Sequence, residues 1–273
     1  MMADTQIKQQ ILNNVLPQCF NAAVKAGAAI MKIYKNRDDY DISLKSDMTP
    51  ITVADRVAHN TIKEHLGTTR IPVLSEEGRE MLYDERRNWE LFLLVDPLDG
   101  TKEFIKGNNE CIASVLYVPY HCKMYVAVKE YGSFLIRDII PQENPSYQSE
   151  QIEKLMERLP LESARHEGFR VAVSRSHQTP ETHERIEQMR QQHPDLEVIE
   201  QGSSYKFCLL AEGSIDYYVR TTNTYEWDTA AGELILAEAG GSTLSYPAGE
   251  PLAYNKADLK NPWFEAKSCN CKQ

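Results

Sequence analysis

Apolar residues follow two different spacings along the first half of the chain. Over residues 5–34 they recur every three or four positions, which predicts one long helix with a kink near Leu16, because Pro17 lacks a backbone donor. A second helix is predicted to end at Gly67, with Asp55 in its first turn. Apolar runs without helical spacing predict strands at 71–74, 91–95, 111–118, 124–128 and 134–140. The last three are typical of antiparallel hairpins.

Strands and helices alternate in the second half of the chain. Strands are predicted at 169–173, 196–200 and 216–220, and helices at about 180–192, 205–211 and 227–239. This alternation predicts a mostly parallel α/β sheet. Ligands bind at the carboxyl ends of such strands, so we expect residues 174–177, 202–204 and Arg220 to share one edge. The tail, 247–273, reads as irregular apart from a short strand near Trp263.

The segment 141–168 is the predicted boundary between two subdomains. On this division residues 1–150 form an α+β subdomain, and residues 151–273 form an α/β subdomain. The charged insert 79–88 is predicted to be an exposed loop or a helical turn.

Two predicted strands of the first half end in acidic residues. Glu76 follows the strand at 71–74, and Asp96 and Asp99 follow the strand at 91–95 in the turn DPLDGT. Neighbouring strands that end together would bring these carboxylates to one point. Hard divalent cations prefer carboxylate and carbonyl oxygens, which this turn offers. The simpler alternative is a surface turn whose acids cap the next segment.

Two further acids lie where a helix is predicted to begin. Asp55 lies in the first turn of the second helix and Asp228 at the start of the last clear one. Taken singly, each is explained by stabilisation of a helix N-terminus. Together, Glu76, Asp96, Asp99 and Asp228 form an all-oxygen ligand set that cannot stay fully ionised without cations. Such a set suits Mg²⁺, and two metals about 3.5–4 Å apart would clamp an in-line displacement.

Composition narrows the function further. The net charge of −10 argues against a binder of nucleic-acid polymers, which normally carry a basic surface. The six cysteines form no CxxC pattern, so we expect reduced thiols in a cytoplasmic protein. The polar N-terminal residues lack a signal-peptide core, and no run reaches the roughly 18 apolar residues of a membrane-spanning helix.

Several motifs occur together in a characteristic order. They are VLSEE at 73–77, DPLDGT at 96–101, WDTAAG at 227–232 and EAGG at 238–241. This combination resembles the inositol monophosphatase superfamily of metal-dependent, lithium-sensitive phosphatases. Within it, the motifs KSDMTPITVAD at 45–55, VSRSH at 173–177 and GSSYKFC at 202–208 resemble the CysQ-type 3′(2′),5′-bisphosphate nucleotidases. The chain departs from the family pattern between Glu110 and Val115, where an additional strand and turn of the family are missing or shortened.

The resemblance implies a fold and a set of site residues. The fold is a layered helix–sheet sandwich of the inositol monophosphatase and fructose-1,6-bisphosphatase type. The residues implied to hold Mg²⁺ are Glu76, Asp96, the carbonyl of Leu98, Asp99 and Asp228. The residues implied in catalysis are Asp55 and Thr101, which would activate the attacking water, together with Glu76. The residues implied to bind substrate are Gly100, Thr101, Asp228, His177, Ser203, Lys206 and Arg220.

The resemblance also implies an activity. The expected reaction is hydrolysis of 3′-phosphoadenosine 5′-phosphate to AMP and phosphate, with a role in sulfur metabolism. Lys206 and Arg220 carry the charge that a 5′-phosphate requires, although solvated surface charge is the simpler alternative for both. The alternatives are an inositol monophosphatase, a sugar bisphosphatase or a catalytically silent sensor of nucleotide or metal. The resemblance further allows a homodimer and a peripheral association with the inner membrane.

Overall fold

The computed structural model describes residues 10–35, 42–44, 50–98, 102–107 and 110–271. A π-helical turn, Ile11–Val15, leads directly into the first α-helix. The α-helices within the described ranges are α1 Leu16–Lys35, α2 Val53–Leu66, α3 Tyr83–Arg86, α4 Ser149–Leu155, α5 Pro180–Gln192, α6 Tyr205–Glu212 and α7 Glu226–Glu238. None of these helices combines the length and the apolar character that crossing a membrane requires.

The strands form two large sheets and two small pairs. Their bounds are β1 Ile42–Leu44, β2 Pro50–Thr52, β3 Val73–Ser75, β4 Leu91–Asp96, β5 Lys102–Gly107, β6 Glu110–Val118, β7 Lys123–Val128, β8 Gly132–Ile136, β9 Glu157–Arg158, β10 Arg170–Ser174, β11 Glu197–Gln201, β12 Tyr217–Arg220, β13 Thr224–Tyr225, β14 Ser242–Ser245, β15 Lys260–Asn261 and β16 Phe264–Lys267. The small pairs are β1 with β2 and β13 with β15, both antiparallel.

The first large sheet has seven strands in the order β3-β4-β5-β6-β7-β8-β9. Strands β3 and β4 are parallel, and the remaining neighbours are antiparallel. Strand β4 is apolar on both faces because both faces are covered. Leu93 and Val95 pack into the cluster that includes α1 and α2, whereas Phe92 and Leu94 pack into the cluster that includes α6 and α7. This is why the strand reads as a continuous apolar run.

The second large sheet has five strands in the order β11-β10-β12-β16-β14, and β16 runs opposite to the other four. Tyr218 and Phe264 on one face pack into the cluster of α6 and α7. Val171 on the other face packs against Ile186 and Met189 of α5. The layers therefore run α1/α2, sheet, α6/α7, sheet, α5. The predicted layered sandwich and the mostly parallel second sheet are confirmed.

The first predicted helix is confirmed from Gln10 onward, and the expected irregularity near Leu16 takes a specific form. The chain changes there from π-helical to α-helical geometry. Pro17 is the second residue of α1, so its missing N–H falls where the hydrogen-bond pattern changes between the two geometries.

The short strand predicted near Trp263 is confirmed as β16, which is an inner strand of the second sheet. The helical turn predicted within 79–88 is confirmed as α3, but it is not wholly exposed, because Arg86 is buried. The polar segment Lys102–Gly107 shows no strand pattern in the sequence, yet it forms β5 between β4 and β6. Tertiary contacts override the polar local pattern in both segments.

The two subdomains remain a prediction. Helices α6 and α7 from the second half share one buried cluster with Leu116 and Tyr125 of the first sheet. The contact between the two halves of the chain is therefore extensive and apolar.

Candidate metal and phosphate site

Glu76 and Asp96 lie at the ends of two neighbouring parallel strands. Ser75 of β3 is in register with Val95 of β4, so the residue that follows Ser75 is level with the last residue of β4. The backbone N–H of Glu76 donates to the carbonyl of Val95 at 3.0 Å, which extends the pairing by one residue. The expected meeting of acids at two strand ends is thus confirmed for Glu76 and Asp96.

Asp228 reaches the same point from the first turn of α7. Its Oδ2 accepts a hydrogen bond from the backbone N–H of Tyr225 at 2.7 Å, so it also caps the helix that carries it. Small residues follow Asp228, and a Cβ built on Gly232 would lie 2.7 Å from Phe207 of α6. The close approach of α6 and α7 therefore requires glycine here. Both of the alternatives considered for Asp228, cap and ligand, are consistent with this geometry.

The three carboxylates form one cluster. Glu76, Asp96 and Asp228 each offer an oxygen, and these three atoms lie within 4.8 Å of one another. Asp96 is 2% exposed, whereas Glu76 and Asp228 are partly buried. Three negative charges this close repel each other unless a cation lies between them. The donor set is all oxygen and only partly enclosed, which fits Mg²⁺ with water or phosphate oxygens completing its shell.

The turn after Asp96 is only partly described. The backbone N–H of Leu98 donates to Asp96 Oδ1 at 3.2 Å, which folds the chain back on the carboxylate. Asp99, Gly100 and Thr101, which were predicted to bind metal, phosphate and water, lie outside the described residues. Their roles stay predictions, as does that of the Leu98 carbonyl.

Asp55 lies in the first turn of α2, as predicted, and is partly buried. One turn later, Nδ1 of His59 lies 2.9 Å from Oγ of the buried Ser75. This hydrogen bond attaches the helix carrying Asp55 to the strand residue that precedes Glu76. Burial, and to a smaller extent Lys63, lowers the pKa of His59, so the ring is held in its neutral form near pH 7. Sequence analysis missed His59, because its spacing of four residues from Asp55 indicates a shared helix face but not the contact with Ser75, 16 positions away.

The residues predicted to bind the nucleotide lie at the carboxyl ends of β10, β11 and β12. These strands are neighbours in the second sheet and run in the same direction. His177 follows β10, Ser203 follows β11, and Arg220 ends β12. The pKa of His177 is lowered by partial burial, then by Arg220 and by Lys206. The two cations beside this neutral imidazole give the edge a positive potential, which favours an anionic ligand.

Lys206 is 2% exposed, so it is not the solvated surface charge that was the alternative for this residue. Its ammonium donates to the carbonyls of Gln201 and Ser203 at 3.1 and 2.5 Å and lies 4.8 Å from the ring centroid of Tyr218. Ser203 has φ of 61°, which is uncommon for a residue other than glycine. Lys206 therefore braces the turn that contains Ser203, while its charge remains close to the same edge.

Arg220 has a hydrogen-bond donor that lacks an acceptor in the described part of the chain. Its Nε is buried and has no hydrogen-bond partner among the residues that the structure describes. An unpaired buried N–H is costly, so a group that accepts this hydrogen bond would be bound favourably. A phosphate oxygen is the ligand that best matches a guanidinium.

A model of the inositol monophosphatase family matches residues 12–263. The chain belongs to this family. The fold of the family, with helices layered against two sheets, agrees with the layers described above.

Two relatives are similar over nearly their whole length. The 3′(2′),5′-bisphosphate nucleotidase CysQ of Escherichia coli K12 is 36% identical over 258 residues, which are 92% of this chain and 98% of that protein. The crystal structure of CysQ from Bacteroides thetaiotaomicron, described as a bacterial member of the family, superimposes with a TM-score of 0.82 and 39% identity. It covers 93% of this chain and 96% of that one.

A more distant family member carries the metal. An inositol monophosphatase/NADP phosphatase complexed with Mg²⁺ and phosphate has a TM-score of 0.62 and 16% identity, over 89% of this chain and 87% of that one. At this identity the likeness concerns the fold alone. Within this family, the cluster of Glu76, Asp96 and Asp228 is the candidate metal site of the chain.

Proposed function

We propose that this protein is a Mg²⁺-dependent 3′(2′),5′-bisphosphate nucleotidase that hydrolyses 3′-phosphoadenosine 5′-phosphate to AMP and phosphate. One observation carries the proposal. Three carboxylates converge within 4.8 Å in a chain that is 36% identical to E. coli CysQ over 98% of the length of CysQ. The family supplies the reaction class, and the similarity to CysQ supplies the substrate.

The carboxylates of Glu76, Asp96 and Asp228 hold the cation. They project from the ends of β3 and β4 and from the start of α7, which packed cores keep in place. Mg²⁺ bound there supplies positive charge that stabilises the phosphoryl group during its transfer. We assign the Asp99 carboxylate and the Leu98 carbonyl to the same ligand set.

Asp55 and Thr101 move the proton of the attacking water. The water oxygen attacks the 3′-phosphorus in line, and its proton passes to the Asp55 carboxylate through the Thr101 hydroxyl. The bond between phosphorus and the ribose O3′ breaks, and its electron pair stays on O3′, which takes a proton from solvent. The N–H groups of Gly100 and Thr101 bind the phosphate oxygens. The hydrogen bond of His59 to Ser75 supports this role, because it holds the helix of Asp55 beside the strand end of Glu76.

The 5′-phosphate binds at the edge formed by His177, Ser203, Lys206 and Arg220. The unmet Nε donor of Arg220 and the lowered pKa of His177 support this assignment. Arg220 makes the direct contact, and Lys206 contributes charge and the shape of the Ser203 turn.

We also propose a cytoplasmic location, which the six free thiols support because disulfides rarely persist in that compartment. A homodimer is the proposed assembly, and the mass in solution tests it directly.

The first test measures phosphate release from 3′-phosphoadenosine 5′-phosphate and from inositol 1-phosphate, with Mg²⁺, with EDTA, and with Mg²⁺ plus Li⁺. We expect metal-dependent, lithium-sensitive hydrolysis of the nucleotide and little turnover of the inositol ester. Preference for the inositol ester would keep the metal site and refute the nucleotide assignment. No turnover of either substrate would refute the enzyme and favour the sensor.

The second test isolates the 5′-phosphate. Arg220→Met should raise KM for 3′-phosphoadenosine 5′-phosphate by about 10-fold or more, since hydrogen bonds to charged groups contribute about 1.5–3 kcal/mol. KM for 3′-AMP, which lacks the 5′-phosphate, should hardly change. Arg137→Met is the matched control, because Arg137 is paired with Glu157 at the surface. An equal rise of KM for both substrates would contradict the role given to Arg220.

A further inference from the structure

A buried arginine lies in the connection between two of the clustered carboxylates. Arg86 ends α3, between Glu76 and Asp96 in the chain, and is 1% exposed. Burying a guanidinium is costly unless its donors are paired, so this arginine requires partners from elsewhere in the fold.

The partners of Arg86 come from the loop after β14. Nη1 donates to Oδ1 of Asn255 at 2.8 Å, and Nη2 donates to the carbonyl of Ala257 at 3.0 Å. Asn255 returns a hydrogen bond from Nδ2 to the carbonyl of Arg86 at 3.3 Å. Asn255 has φ of 56°, a strained conformation that asparagine tolerates better than most residues. The two segments are thereby joined across 169 positions of sequence.

The same loop is attached to the start of α7 through Glu226. Glu226 is the first residue of that helix and is 0% exposed. Its carboxylate accepts hydrogen bonds from the backbone N–H of Asn255 at 2.6 Å, and from the N–H and the ammonium of Lys256 at 2.9 and 2.8 Å. A carboxylate this well paired fixes the loop and the helix start as one unit.

Asp228 belongs to this unit. It lies in the same turn as Glu226, and its Oδ2 is held by the N–H of Tyr225. On the other side of the turn, Nδ2 of the buried Asn261 donates to the carbonyl of Tyr225 at 2.7 Å and to Oγ1 of Thr229 at 2.9 Å. The first turn of α7 is therefore fixed from both sides by the segment 253–261.

We propose that Arg86, Asn255 and Glu226 act together as a positioning network, which sets Asp228 at the distance from Glu76 and Asp96 that a divalent cation requires. The network joins the only two parts of the described chain that supply these three carboxylates, the β3–β4 connection and the start of α7. Mg²⁺ demands near-ideal geometry with oxygens at about 2.0–2.1 Å, so a displaced ligand lowers affinity steeply. The inference rests on the proposed Mg²⁺ site, although it does not depend on the identity of the substrate.

Two variants remove hydrogen bonds that join the β3–β4 connection to the loop after β14. Asn255→Gly removes the amide while favouring the positive φ, so the fold should be retained. Arg86→Met removes both donors while preserving much of the buried volume. Arg185→Met is the matched control: Arg185 is paired with Glu265 at 2.5 Å, and its helix α5 covers the face of the second sheet that is turned away from α7.

The readout is the Kd for Mg²⁺ alone, measured by titration calorimetry, together with the melting temperature in EDTA and in Mg²⁺. We expect a rise in Kd of about 10-fold or more for Asn255→Gly and Arg86→Met, in line with losses caused by outer-shell changes. Arg185→Met should lower the melting temperature in EDTA yet keep the wild-type Kd. The double variant should raise Kd by less than the two single effects combined, because both variants remove the hydrogen bond between Arg86 and Asn255.

Wild-type Kd in Asn255→Gly and in folded Arg86→Met would overturn the inference, whatever happens to the melting temperature. Absence of Mg²⁺ binding to the unaltered protein would overturn it as well, together with the proposed metal site. If the variants lose Mg²⁺ affinity but the unaltered protein hydrolyses no bisphosphate nucleotide, the inference stands and the proposed function fails.

Discussion

Three carboxylates within 4.8 Å are a cost to the folded protein when no cation is bound. Asp96 contributes to that cost, because it is 2% exposed and lies close to two like charges. It keeps its place because β4 is packed on both faces and cannot shift to relieve the repulsion. Groups that lower stability and are held in place by their surroundings are typical of functional sites.

This repulsion predicts opposite effects of Asp96→Asn on stability and activity. In EDTA the melting temperature should stay unchanged or rise, because one of three clustered negative charges is removed while the amide oxygen can still accept from the N–H of Leu98. Phosphate release should fall by at least about 100-fold, since even outer-shell changes at metal sites cost about 10–100-fold. Thermal unfolding with and without Mg²⁺, and a phosphate assay, check both effects.

Asp84→Asn is the control for that experiment, because Asp84 is 80% exposed and lies outside the carboxylate cluster. It should change neither quantity. Wild-type phosphate release from Asp96→Asn would contradict the assignment of Asp96 to the metal site.

At the scale of single residues, the sequence identifies the acids but not the residues they contact. Glu76, Asp96 and Asp228 were predictable because each is next to a recognisable strand end or helix start. His59, Arg86 and Glu226 were not, because a polar residue whose partner is 16 to 169 positions away looks like surface charge. Burial, which distinguishes the two cases, depends on the complete fold.

At the scale of elements, the tail shows why the place of a short strand within a sheet is hard to predict. Strand β16 has four residues, Phe264–Lys267, and two of them are charged. The charges of Glu265 and Lys267 lie on the face toward α5, where Glu265 pairs with Arg185 and Lys267 lies over the ring of Tyr217. The strand nevertheless separates β12 from β14 and so completes the second sheet. Periodicity over four residues is too short to reveal this.

Because β16 is an inner strand, Phe264→Ala should be strongly destabilising. Phe264 is 1% exposed, and its ring lies 5.7 Å from that of Phe207 and 5.4 Å from that of Tyr218. We expect the free energy of unfolding to fall by about 3–5 kcal/mol, as is usual for truncation of a buried aromatic residue. Urea denaturation measures it. Leu155→Ala is the control, because Leu155 is 46% exposed. If Phe264→Ala lowers the free energy of unfolding by less than about 1 kcal/mol, the tail is not part of the core.

At the scale of the whole molecule, the residues of the candidate site come from both sheets and from the helices α6 and α7 that lie between them. The carboxylates come from the first sheet and from α7, whereas His177, Ser203 and Arg220 lie at an edge of the second sheet. The alternation of helix and sheet layers was predictable from the family resemblance. The packing of α7 between the two sheets was not, because the residues it meets are far apart in the chain and come together only in the complete fold.

The histidines predict how the stability of the whole molecule depends on pH. His59, His65 and His177 each have a pKa lowered first by burial and then by nearby cations, which are Lys63 for His59, Lys25 for His65, and Arg220 and Lys206 for His177. The folded state therefore binds fewer protons than the unfolded state, whose histidines titrate near pH 6.5. Stability should be full above that pH and fall as the pH drops through the folded values, before most carboxylates titrate. The urea midpoint measured in EDTA should therefore decrease as the pH is lowered from about 7.5 to about 5.5.

His65→Leu should flatten this pH dependence, because Nε2 of His65 is buried without a hydrogen-bond partner in the described structure. His183→Gln is the control, because His183 is exposed. If His65→Leu keeps the wild-type slope, the burial of this imidazole does not contribute to the pH dependence.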